Sequence, residues 1–236
     1  MSETRSLWII PSRGRSARLA GTLEAALDLS SGQADFAVCT DDDDPDDGYG
    51  ALPGLMPPGR VLWFSGRRRS MCSWTNFAAA HPRACRYGSL GSMGDDHVPR
   101  TRDWDLVLAA ALAVPGTGIA YGDDLHQRGT LPTAPLISRV ITDALGWMCL
   151  PGLEHMFCDN VWKRLGENAQ CLAYVPRAVI EHLHPDAGKA AMDATYAGGY
   201  DAWPGDERVF RLWERNGAAD DVATVKAAMA RRTVPA

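Results

Sequence analysis

Gly94-Asp95-Asp96-His97 sets two carboxylates and an imidazole side by side, directly after a stretch from about Tyr87 to Met93 that reads as a strand. Carboxylate oxygens and imidazole nitrogens suit a divalent cation, and magnesium or manganese held there would in turn bind phosphate oxygens. An acidic turn often does no more than face solvent. In an open α/β sheet, however, ligands collect at the carboxyl ends of strands, where this turn lies. A later strand ends in Glu181-His182-Leu183-His184-Pro185, and histidines two apart in a strand point to the same side. In a chain with only six histidines, this pair joins Asp95 and Asp96 in a candidate carboxylate and imidazole metal site. A third element, Pro11-Ser12-Arg13-Gly14-Arg15, lies between a strand and a helix. It offers backbone donors and two guanidinium groups to an anion, although exposed arginines in an ordinary βα loop have the same sequence.

The elements that must position these residues follow from the apolar periodicity. Leu7–Ile10, Phe36–Cys39 and Val61–Phe64 read as buried strands, and Ser16 to Leu29 and Trp74 to Ala80 as helices, with Ser16 available as a cap. A helix from Asp103 to Val114 and a strand from Gly118 to Tyr121 continue the pattern. The order is then less regular: a strand Ala134–Ile137, a helix from Arg139, and a helix Asp159 to Leu165 stopped by Gly166. Two late strands, Ala173–Val175 and Ala178–Ile180, precede a tail with two helical patterns. Strand alternating with helix predicts a mostly parallel sheet covered on both faces. The absence of Gly-x-Gly-x-x-Gly and of Gly-x-x-x-x-Gly-Lys-Ser/Thr excludes a dinucleotide fingerprint and a P-loop.

Composition bounds the rest. The 236 residues are 46% hydrophobic and 22% charged, enough for one α/β domain with a sizeable core. A net charge of -5 argues against wholesale binding to nucleic acid or anionic membrane, with Arg67-Arg68-Arg69 the obvious local exception. The longest apolar run, Leu106 to Val114, is too short for a membrane span, and the first residues lack the apolar core of a signal peptide. A soluble, cytoplasmic protein is the expectation. The six cysteines are scattered with no Cys-x-x-Cys pair, as small buried thiols would be.

Taken together, Ile10-Pro11-Ser12-Arg13-Gly14-Arg15, Ser92-Met93-Gly94-Asp95-Asp96-His97, Phe157-Cys158-Asp159-Asn160 and His182-Leu183-His184 resemble, in order and spacing, the motifs of family 2-like GT-A glycosyltransferases. The compact size and the Gly-Asp-Asp-His form are also similar to bacteriophage-encoded members. The resemblance implies a GT-A type, Rossmann-like α/β fold over residues 1–185, with 186–236 a helical extension packed on the same domain. It implies Mn2+ or Mg2+ bound by Asp96 and His184, with His97 as a substitute ligand. The nucleotide-diphosphate sugar donor would meet Pro11, Ser12, Arg13, Arg15, Asp41, Arg69 and Asp95. Within that set, Asp95 is placed on the ribose or a metal-bound water and Asp41 on the base; the remaining acids of the run Asp41 to Asp47 form a solvated loop. Because Asp95-Asp96-His97 departs from Asp-x-Asp, the roles of its two carboxylates stay open.

In such an enzyme the acceptor hydroxyl loses its proton as it attacks, and Asp159 is the implied general base, with Glu154 behind it. A helix cap would account for Asp159 equally well. Trp147, Phe157 and Trp162 could form an apolar acceptor shelf or simply pack in the core. A single displacement would invert the anomeric centre, and the acceptor could be a modified DNA base, a protein or a glycan. Two other classes use the same residues: a metal-dependent nucleotidyltransferase or phosphohydrolase, and a non-catalytic nucleotide-sugar binding module.

Overall fold

In the computed structural model, residues 5–232 are described, and the opening Met-Ser-Glu-Thr weighed as a signal peptide lies outside them. The elements run β1 (Ser6–Pro11), α1 (Ser16–Asp28), β2 (Ala34–Asp41), α2 (Leu52–Leu55), β3 (Val61–Gly66), α3 (Met71–Ala80), β4 (Ser89–Ser92) and β5 (His97–Pro99). There follow α4 (Trp104–Leu112), β6 (Ile119–Asp123), β7 (Pro135–Ser138), α5 (Arg139–Leu145), α6 (Cys158–Asn168), β8 (Leu172–His182), α7 (Ala194–Asn216) and α8 (Ala218–Arg232).

The strands form one sheet in the order β3-β2-β1-β4-β7-β6-β8-β5. β3, β2, β1 and β4 are mutually parallel and β6 is parallel to β8, while β7 and β5 run against their neighbours. The sheet is buried on both faces, and β1 shows how. Leu7 and Ile9 point into one core with α3, α5, α6 and the tail helices; Trp8 and Ile10 point into the other, with α1 and α4. Alternation along one strand thus seals two layers. In the second core Trp8 meets Trp104 edge to face, with centroids 4.7 Å apart, a contact worth roughly 0.5–1.5 kcal/mol beyond area burial.

Several sequence expectations are corrected. Ser16 does not cap α1; it is the first helical residue, and its N–H and hydroxyl both donate to Asp46 (2.7 and 2.8 Å). Gly166 does not stop α6, which runs on to Asn168. A Cβ there would lie 2.9 Å from that of Leu172, so Gly166 serves close packing of helix on strand. The two late strands are one, β8, whose pairing jumps from Gly122↔Val175 to Asp123↔Val179. Pro176 has no N–H to give the ladder and sits in the skipped segment. The tail helices join the main core through Phe210, Trp213, Val225 and Met229. No helix among the described residues is long and apolar enough to cross a membrane.

Candidate metal and donor site

β4 ends at Ser92 and β5 begins at His97, so Gly94, Asp95 and Asp96 form the turn between them. A Cβ on Gly94 would lie 2.4 Å from Asp96 Oδ1 and 3.0 Å from His97 Nδ1, so the turn closes this tightly only with glycine. The antiparallel register of β5 on β8 sets His97 directly opposite His182. Strand pairing thereby brings together imidazoles 85 positions apart, and the rings stack with centroids 4.0 Å apart. Asp96 Oδ1 lies 3.0 Å from His97 Nδ1 and 3.6 Å from His182 Nε2. One ligand atom from each of the three side chains lies within 4.8 Å of the others.

The residues present fit a divalent cation. Among the described residues, His97 Nε2 and His182 Nδ1 are buried ring nitrogens with no hydrogen-bond partner. Such orphans are rare in a folded protein and point to an absent ligand. Burial works against the Asp96 carboxylate, but His182 and His97 outweigh it and hold the group well below the usual range. Burial, then His97, pushes His182 below its ordinary value, which keeps the neutral ring that a metal requires. Asp95 is pushed up to about 6 by burial and then by Asp96, with Arg15 and Ser12 opposing. The site holds more negative charge than its one buried guanidinium compensates. His184 lies beyond the end of β8, where the same-side rule for a strand no longer applies. Its Nδ1 accepts from Asp186 N at 3.2 Å, and its ring centroid is 4.9 Å from that of His182. The structure therefore groups Asp96 with His97 and His182, with His184 beside them.

The loop after β1 reaches the same turn. Pro11 is the last residue of β1, and Ser12 Oγ donates to Asp95 Oδ2 at 2.6 Å. Arg15 is buried rather than exposed: Nη1 donates to Asp95 Oδ1 at 3.1 Å, while Nε and Nη2 fork onto Asp193 (2.9 and 2.6 Å). Its guanidinium stacks on Tyr196, 3.9 Å from the ring centroid. The Tyr196 hydroxyl lies 2.7 Å from Asp96 Oδ2 and 2.9 Å from the Leu183 carbonyl. The tail thus contributes Asp193 and Tyr196 to the site, which the motif reading missed. An Asp before a helical run is a recognisable cap signal, but its second partner is invisible locally.

The acidic loop is also more than solvated. Asp41 Oδ1 accepts from Trp74 Nε1 (2.7 Å) and Arg69 N (3.0 Å), and Oδ2 from Arg13 Nη1 (2.9 Å). Asp43 takes Arg13 Nη1 at 2.6 Å and Asp44 takes Gly14 N at 2.9 Å, so with Asp46 on Ser16 the run folds onto the Arg13 loop. The Arg69 side chain is exposed and lies over Trp74 and Phe77.

Asp159 is in the first turn of α6, one residue past Cys158, while Phe157 occupies the capping position. It is therefore not the cap residue; its Oδ1 accepts from Asn160 N at 2.8 Å. Burial pushes its carboxyl up to about 6, against the backbone donors, and it feels the charges of both His182 and Asp124. Glu154 is exposed. Trp162 is core, its Nε1 bonded to the Met148 carbonyl at 2.7 Å, and Trp147 packs against the same core. Phe157 stacks on Phe210, 5.3 Å between centroids. A third missed residue is Asp124, buried with its Oδ2 4.0 Å from His182 Nδ1. Its signal was present: Gly122-Asp123-Asp124 repeats the Gly-Asp-Asp of the first turn at another strand end.

No family model matches the sequence, and no curated protein matches it. Solved structures do match the fold. A mannosyltransferase, PcManGT from Pyrobaculum calidifontis in complex with GDP-Man and Mn2+, aligns at 13% identity and TM-score 0.59 over 98% of this chain and 76% of its own. TarS 1–349 of S. aureus with UDP aligns at 8% identity and TM-score 0.58 over 75% of this chain and 59% of its own. GalNAc-T7 with UDP, GalNAc and Mn2+ aligns at 14% and 0.61 over 78% of this chain and 44% of its own. These likenesses show that the chain has the GT-A fold.

Proposed function

We propose that this chain is a metal-dependent glycosyltransferase that moves a sugar from a nucleotide-diphosphate sugar to an acceptor hydroxyl, by inversion. The observation that carries the reading is the pair of partnerless buried nitrogens on His97 and His182 beside Asp96, at strand ends of a GT-A sheet. The Mn2+ and nucleotide ligands of the similarly folded PcManGT and GalNAc-T7 structures support it. Bound there, Mn2+ or Mg2+ would supply Lewis acidity toward a diphosphate leaving group.

The chain's own residues have distinct tasks in this reading. Asp96, His97 and His182 hold the cation, with His184 at the rim. Asp95, held in a set orientation by Ser12 and Arg15, is the residue this reading assigns to the ribose or a metal-bound water. Pro11, Ser12, Arg13 and Asp41, with Arg69, frame the place for the nucleotide. The Arg13–Asp41 pair keeps a guanidinium at the rim that exchanges its carboxylate partner for phosphate. Asp159 accepts the acceptor's proton: a carboxyl raised to about 6 is ionised at neutral pH yet more basic than a solvated one.

A screen of nucleotide sugars for release of nucleoside diphosphate tests the proposal. One donor should be turned over with Mn2+, not with EDTA, and not by Asp96→Ala. Turnover of nucleoside triphosphates or phosphoesters alone would identify the nucleotidyltransferase or phosphohydrolase class, and metal-dependent binding with no turnover a binding module.

A further inference from the structure

In the core on the α3 and α6 side of the sheet, Cys72, Cys149 and Cys158 converge. All three are buried, at 1%, 0% and 3% exposure. Their sulfurs lie within 4.8 Å of one another, and Cys72 Sγ and Cys158 Sγ are 3.0 Å apart. The two thiols are hydrogen-bond partners, and either one can donate. No Cys-x-x-Cys spacing announces the group, because each sulfur comes from a different segment.

The backbone around the three thiols is fixed from several sides. Asn76 Oδ1 accepts from Met148 N and Cys149 N (2.9 and 2.8 Å), and its Nδ2 donates to the Cys149 carbonyl at 2.8 Å. Cys72 N donates to the Glu154 carbonyl at 3.1 Å. Asp206, 1% exposed, takes the N–H groups of Glu154, His155 and Met156 at 2.7–2.8 Å and so fixes the segment leading to Cys158. Cys72 lies in the first turn of α3 and Cys158 is the first residue of α6. Two helix N-termini, whose partial positive charge suits an anionic sulfur cluster, therefore meet here.

We propose that Cys72, Cys149 and Cys158 form a buried three-sulfur site for a thiophilic d10 cation, copper(I) before zinc. Soft thiolate and thioether ligands select copper(I), whereas structural zinc takes four nitrogen, sulfur or carboxylate ligands. Among the described residues no fourth His, Cys, Asp or Glu joins this group. Loading changes no oxidation state: copper–sulfur bonds form, displaced thiol protons leave to solvent, and the two helix N-termini, worth roughly half a charge each, offset part of the residual negative charge. The bound ion would tie the segment before Asp159 to α3.

The test uses the full chain, purified and kept under reducing conditions, with copper(I) supplied from a chelator-buffered solution. One equivalent should bind with sulfur-only coordination by X-ray absorption. At a hundredfold excess over Kd, Tm should rise by roughly 5–10 °C. Cys149→Ala and, separately, Cys72→Ala should lose the bound equivalent and the Tm shift, while Cys85→Ser, an exposed cysteine, should keep both. The melting curve of each metal-free variant shows whether it folds, and Cys158→Ser provides a third variant should the alanines fail. Equal copper uptake by folded Cys149→Ala, tighter binding of zinc than copper, or no uptake by the reduced wild type would each overturn the proposal. A Cys72–Cys158 disulfide that persists in place of metal would overturn it as well.

Discussion

Asp159 carries two opposing demands. Its place in the first turn of α6 supplies backbone donors that favour the carboxylate, yet burial raises it to about 6. In the unfolded chain it would titrate near the ordinary carboxylate value of about 4. Between those values the folded state binds more protons than the unfolded one, so stability from this group is present below pH 4 and lost as pH rises through 6. Asp159→Asn should therefore be at least as stable as wild type at neutral pH. It should keep donor and metal binding while transfer falls by roughly two to four orders of magnitude. Wild-type kcat should rise as pH passes through about 6, and that limb should flatten in the variant. Near-normal transfer by a folded Asp159→Asn protein would leave the base elsewhere.

At the scale of elements, what was legible in the sequence followed period and punctuation. Apolar runs located β1, β2 and β3, and Gly94–His97 was readable as the turn that follows the strand read at about Tyr87 to Met93. What was not legible depended on pairing between remote segments. The histidine that meets Asp96 is settled by the register of β5 on β8, and β5 is three residues long with no pattern of its own. Ala173–Val175 and Ala178–Ile180 read as two strands, where the chain makes a bulge within one. The tail could be read as helical but not as a supplier of Tyr196, Asp193 and Asp206, since caps and carboxylates name their own helix and not the loop they hold. Asp206 allows an element-scale test. Asp206→Asn keeps one acceptor oxygen but presents an amide N–H to the donors of residues 154–156. The loss should be about 1–3 kcal/mol, read as a fall in Tm of roughly 2–12 °C. An unchanged Tm would show that the loop stands without α7.

For the molecule as a whole, the GT-A sheet gathers Asp95, Asp96 and Asp124 into a buried region where, among the described residues, Arg15 is the single buried cation. A buried acidic region of this kind repels a diphosphate unless a cation intervenes. The account therefore predicts strict linkage between metal and nucleotide. The direct measurement is calorimetric titration of UDP and GDP into wild type, His182→Ala and His184→Ala, each with Mn2+ and with EDTA. One nucleotide should bind wild type with Mn2+ and show no heat with EDTA. His182→Ala should lose roughly tenfold or more in affinity, as removal of a metal ligand does, and His184→Ala should lose less. Equal binding with and without the metal, or undiminished Mn2+-dependent binding by His182→Ala, would contradict the account at its centre.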